Sequence, residues 1–231
     1  MIAIILSRKH TAVAKSNSEN LVEIPSDSVI MKGIVRVPPK AQGLVILAHT
    51  AISHHNNLSS QYLADQLREA GFGTFLIDLL SPAETGAPQA DFDIRRLTQR
   101  LEAATNWLAT KPRTRALRLG YLAEGAGSAA ALHAAADLND KISAIVSCSG
   151  RPDLAFAALP KVHTPALFIV GADDFAVARI NQRTCNLLSG DAVVEIIAGA
   201  TNLFEEPAIE EVARLACSWF GHHLQRKRAK R

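Results

Sequence analysis

The 231-residue sequence predicts an α/β fold: a mostly parallel, doubly wound sheet with an antiparallel hairpin at its N-terminal end and helices on both faces. Three observations carry that prediction. Continuous apolar runs such as GLVILAH (43–49) and GTFLIDL (73–79) have the unbroken character of strands buried on both faces. Between such runs lie segments whose apolar residues recur every three or four positions, the period of a helix. Ahead of this alternation, LVEIP and VIMKGIVRV flank Ser26-Asp27-Ser28, which reads as a hairpin.

Residues 7–20 (SRKHTAVAKSNSEN) are polar and aperiodic, so residues 1–20 read as a flexible extension. Pro38-Pro39 end the hairpin, and GLVILAH follows as the first buried strand. SSQYLADQLREAG (59–71) has apolar residues at 62, 63, 67 and 70 and stops at a glycine, which predicts a helix. After strand GTFLIDL, the Pro-, Gly- and acid-rich segment 81–92 reads as a loop. DIRRLTQRLEAATNWLAT (93–110) is an amphipathic helix, apolar at 94, 97, 101, 104, 107 and 108. A strand over 116–122, a helix over about 126–137 and a strand ISAIVSC (142–148) continue the pattern. PALFIVG (165–171) predicts a strand, 178–188 a helix, AVVEIIA (192–198) the last strand and 206–224 a closing helix. With no internal repeat or linker, residues 21–224 read as one domain, followed by a basic tail over 225–231.

Charge and composition exclude several classes of function. The net charge is +3, but five of the last six residues, RKRAKR, are Lys or Arg. The remainder carries 20 basic against 22 acidic residues and offers no electrostatic reason to bind nucleic acid. Cys148, Cys185 and Cys217 lie far apart, without metal-ligand spacing, and suit a reducing compartment. MIAIIL is too short and wrongly flanked for a signal peptide or a membrane span. A cytoplasmic protein without metal or cofactor is expected.

In a sheet of this kind, sites form at the carboxyl ends of the strands. Four such ends stand out: His49-Thr50-Ala51, 122–127, Gly171-Ala172-Asp173-Asp174, and Gly199-Ala200-Thr201-Asn202. Their order is that of an oxyanion loop, a nucleophile, an acid and a histidine in Ser-His-Asp hydrolases. The second is a strand–corner–helix turn of the kind that carries a serine in G-x-S-x-G, yet here it reads Ala123-Glu124-Gly125-Ala126-Gly127.

Six stretches carry a resemblance: GLVILAH, LREAGFGTFLIDLL, FDIRRLTQRLEAATNWLA, LGYLAEGAGSAAAL, SGRPDLAFAALPKVHTPALFIVGADD and GATNLFEEPAIEEVARLACSWF. Together they span about residues 21–224, and the sequence resembles the dienelactone-hydrolase-like branch of the α/β-hydrolase fold, whose members are sometimes fused to phosphoribosyltransferase domains. The resemblance implies a serine where Gly125 stands and a histidine where Asn202 stands, before L-F-E-E-P. It places the acid on Asp174, with the neighbouring Asp173 as the second choice, and a family glycine at Thr50. Of the implied triad, only Asp174 is present. Serine attack needs an oxygen at the corner and a base to take its proton. Gly125 has no side chain, and an asparagine amide does not accept a proton at ordinary pH.

The nearby substitutes have plainer readings. Ser128 should sit one turn into the helix and bond a carbonyl. Cys148, at a strand end, reads as a buried structural thiol. Glu124 is a candidate acid or base, since a carboxylate at that inward position needs a partner. His54 and His55 are candidate contacts at a pocket mouth. His49 reads as a core histidine and His133 as structural. Thr50, Ala51, His54 and Ala126 complete the expected ligand-binding set. Three readings remain: a degenerate hydrolase kept to bind a small molecule or a protein, an enzyme using Glu124, Asp174 or a loop histidine for acid–base chemistry, or a structural partner such as a homodimer subunit.

Overall fold

The computed structural model describes residues 21–26, 29–50, 58–84, 87, 90–202 and 204–225. Eight strands form one sheet: β1 (Leu21–Ser26), β2 (Val29–Arg36), β3 (Leu44–His49), β4 (Gly73–Asp78), β5 (Leu119–Glu124), β6 (Ile142–Cys148), β7 (Ala166–Gly171) and β8 (Ala192–Ile197). Their spatial order is β1-β2-β4-β3-β5-β6-β7-β8. β1 and β2 pair antiparallel, with Ser26 opposite Val29, and β2 pairs antiparallel with β4; every later pairing is parallel. The expected doubly wound sheet with an N-terminal hairpin is therefore present.

Burial explains why the strands read as continuous apolar runs. Every residue of β3, β4 and β7 is buried. Alternate β3 residues face opposite layers: Leu44, Ile46 and Ala48 join one core, Val45 and Leu47 the other. The first core lies under α2 (Ile94–Thr110) and α3 (Gly125–Leu138); the second lies under α1 (Leu58–Glu69) and α5 (Ala208–Leu224). α4 (Phe175–Cys185) packs on β7 and β8.

Two elements differ instructively from the periodicity reading. α4 starts at Phe175 rather than 178 because the Asp174 side chain accepts a hydrogen bond from Val177 N and caps the helix. β5 covers 119–124 rather than 116–122: Leu44 N bonds Arg118 O just before the strand, and the extended backbone continues through Glu124 into the corner. Among the described residues, no helix is long and apolar enough to cross a membrane.

Candidate functional site

The sheet order reverses at β3, with β4 on one side and β5 on the other. The carboxyl ends of β3 and β5 lie side by side there, the place where open α/β sheets bind ligands. Thr50 follows β3 there. A side chain at Gly127 would stand 3.5 Å from Thr50 Cγ2 and 3.4 Å from the Ala48 carbonyl, so the first turn of α3 lies directly against Thr50. Ala51, His54 and His55 lie outside the described residues.

β5 delivers the chain to the corner in extended form. Glu124 has φ −122° and ψ 154°, and α3 begins at the next residue. Gly125 has φ +51°, the left-handed conformation that glycine adopts without strain. A Cβ built on Gly125 meets nothing within 4 Å among the described residues. The corner thus has the left-handed backbone of a nucleophile turn. Ala126 follows, almost fully buried.

A buried polar chain braces this corner from within. Ser128 Oγ donates to Ala123 O at 3.1 Å, and Ser147 Oγ donates to Ser128 Oγ at 2.9 Å. Gly150 closes over both hydroxyls so tightly that a side chain there would collide with Ser147 Oγ and lie 2.5 Å from Ser128 Oγ. Ser128 is completely buried, so it is a brace and not a substitute nucleophile. From outside, Arg151 N donates to Gly125 O at 2.9 Å.

Glu124 and Cys148 stand side by side in the β5–β6 register. Cys148 is 1% exposed, and burial, reinforced by the Glu124 charge, pushes its thiol well above the usual range. A thiol held protonated in this way is no nucleophile. Glu124 itself is half-buried at the mouth of the corner.

Asp174 and Asn202, the positions the resemblance implies for acid and histidine, lie on a second pair of loops, stitched to each other. Ala172 N donates to Ile197 O at 2.9 Å and Asp173 N to Ala200 O at 3.0 Å. Gly171 sits so close to Ala200 O that a side chain there would collide with it. Asp174 is half-buried, with Oδ1 accepting from Val177 N at 3.2 Å. Asn202 is exposed, and its side chain makes no hydrogen bond among the described residues. A cleft of about 610 Å³ runs beside these loops between 197–201 and the first turns of α5; Glu205, Glu206, Glu210, Glu211 and Arg214 make it predominantly acidic. His49 is buried at the end of β3, and His133 is half-buried on α3. No group of three or more His, Cys, Asp or Glu side chains among the described residues is arranged to hold a metal.

The sequence reading passes over one feature of this edge. Arg100 on α2 is 2% exposed; its NH1 donates to Leu79 O at 2.7 Å and to Glu84 Oε2 at 2.8 Å, and its NH2 to Glu84 Oε1 at 2.7 Å. Ser81 N and Ser81 Oγ also donate to Glu84 Oε2, each at 2.9 Å. The Arg100 hydrogen bonds hold the Glu84 carboxyl down at about 2. This knot pins the segment after β4 at the carboxyl edge. The signal is present in the sequence: position 100 is three residues after Leu97 and four before Ala104, so an arginine interrupts the apolar stripe.

Comparison with known proteins places this geometry. The dienelactone hydrolase from Anabaena variabilis superposes with a TM-score of 0.85 at 40% identity, over 89% of this chain and 97% of its own. A dienelactone hydrolase-like promiscuous phosphotriesterase from metagenomic libraries superposes at 0.71 over 89% of this chain and 98% of its own; at 18% identity the likeness is one of fold. In sequence, the chain is 43% identical over 204 residues to Mycobacterium tuberculosis proteins provisionally named phosphoribosyl transferases. That match covers 88% of this chain but 46% of theirs, so the chain spans less than half the length of these curated relatives. No family model matches the chain.

Proposed function

The chain belongs to the dienelactone-hydrolase-like α/β-hydrolases, and we propose that it keeps the fold's binding crevice while lacking serine-hydrolase chemistry, serving to bind a small molecule. The observation that carries this reading is Gly125: a left-handed corner with no side chain to attack a substrate. Asn202 supports it, since an exposed amide supplies no base for such an attack. A hydrolase needs both, and removing either member of a nucleophile–base pair costs most of its rate. The transferase activity in the mycobacterial relatives' name is assigned here to the part of those proteins that this chain does not match. The segment that does match corresponds to nearly the whole of a dienelactone hydrolase.

A second reading rests on Glu124. Its carboxylate sits half-buried at the corner, close enough to Cys148 to act on that thiol, and a carboxylate so placed can move a proton without a serine. Two measurements separate the readings. The wild-type chain is expected to take no label from a serine-directed fluorophosphonate and to leave p-nitrophenyl acetate at its background rate. A stoichiometric adduct on any serine would overturn the first reading. Catalysed ester loss that disappears in Glu124→Gln would favour the second.

A further inference from the structure

β8 closes one edge of the sheet. It pairs with β7 without a bulge, from Ala166 opposite Ala192 to Gly171 opposite Ile197. Two hydrogen bonds fix which way its backbone points: Ala166 N donates to Asp191 O, and Ala172 N donates to Ile197 O. Successive residues of a strand point their N–H and C=O groups to alternate sides. Residues 191, 193, 195 and 197 therefore serve β7, while Ala192, Val194 and Ile196 direct theirs outward.

The two edges of the sheet are built differently. On β1, Pro25 removes a donor, and Glu23 forms an ion pair with Lys32 of β2. Proline and charge are the usual means of blunting an edge against pairing. β8 carries no proline, lysine or bulge, and its one charged residue is Glu195. Its exposed side chains include Val193, 40% accessible, and Ile196, 44% accessible, which point to opposite faces of the sheet.

We propose that β8 pairs antiparallel with β8 of a second copy of this chain, about a two-fold axis normal to the sheet and centred on Val194. The backbone selects that register. With the axis at Val194, Val194 faces its own copy and Ala192 faces Ile196 in both directions, so every outward N–H and C=O of the strand finds a partner. Moving the axis to Glu195 pairs Val194 with Ile196 and leaves Ala192 opposite a residue beyond the strand end. It also sets two Glu195 carboxylates directly across from each other, a destabilising pair. With the axis at Val194, Glu195 lies across from Val193 of the second copy, and no like charges are opposed. The contact is isologous and closes at two copies, joining both sheets into one.

The test is sedimentation of the full chain across about 1 to 100 µM, a range over which a reversible dimer changes its population by mass action. A concentration-dependent dimer is expected. Ile196→Lys, an exposed change that leaves the core intact, should weaken it at least tenfold. Glu195→Gln should leave association within about twofold. Amide exchange at Ala192, Val194 and Ile196 should slow as concentration rises, while exchange at Val193 and Glu195, already bonded to β7, should not change. A chain monomeric throughout that range, or a dimer indifferent to Ile196→Lys, would overturn the proposal. A tenfold gain from Glu195→Gln would place Glu195 opposite itself and overturn the register.

Discussion

Positions 125 and 174 belong to the same implied triad, but the molecule treats them differently. At Gly125 a Cβ would touch nothing within 4 Å among the described residues. At Asp174 the carboxylate accepts from Val177 N and starts α4, so the fold depends on it whatever the chemistry. Position 202 resembles 125, exposed and without a side-chain hydrogen bond among the described residues. Of these three positions, Asp174 alone has a side chain that bonds within the described residues. The scaffold is correspondingly intact, with the Ser147–Ser128–Ala123 chain bracing the corner and the 171–173 and 197–200 loops still stitched together.

Several substitutions break or sharpen that contrast. The largest loss should come from the scaffold itself. Gly171→Ala forces a methyl group into the Ala200 carbonyl, and the two loops must part. A loss of about 2–4 kcal/mol is expected, at or above the usual range for overpacking because the obstacle is backbone. Urea denaturation measures it, and a loss below about 0.5 kcal/mol would mean that the loops are not locked.

The Glu84–Arg100 knot should come next. Arg100→Leu removes the partner of a largely enclosed carboxylate, with an expected loss of about 2–3 kcal/mol, below the figure for a fully buried pair because Glu84 retains some solvent. Its pH dependence has a definite sign. The folded Glu84 carboxyl lies below its ordinary value, so its stabilisation is full above the ordinary carboxylate range and is lost as pH falls through about 2. Urea midpoints of the wild type should fall more steeply between about pH 5 and pH 2.5 than those of Arg100→Leu. Parallel curves would remove Glu84 from the account.

Asp174→Ala should cost about 1 kcal/mol through the lost cap, whereas Asn202→Ala should stay within about 0.5 kcal/mol of the wild type. Equal losses at the two positions would erase the distinction between them. Gly125→Ser should fold and lose about 1 kcal/mol from the left-handed backbone, since its Cβ meets nothing within 4 Å among the described residues.

The mostly parallel sheet and its N-terminal hairpin were legible because burial on two faces leaves long apolar runs. The corner was legible as well, as a strand that turns into a helix at Gly125. Three things were not. The start of α4 depends on a side-chain cap, which hydrophobic period does not register. Arg100 had to be read as a charge in an apolar stripe, and its partner Glu84 lies in a loop where no period exists. The openness of the β8 edge depends on which backbone groups β7 consumes, a matter of register rather than residue type.

The most direct test of the central claim is ester turnover by four proteins: wild type, Gly125→Ser, Asn202→His and the double variant. If the scaffold is intact and only nucleophile and base are missing, the first three remain at background. The double variant, with Asp174 in place to orient the new histidine, should then turn over p-nitrophenyl acetate at least about 100-fold above them, the scale of a general-base contribution. Wild-type turnover that survives in all four proteins, or a Gly125→Ser variant as active as the double, would contradict the account.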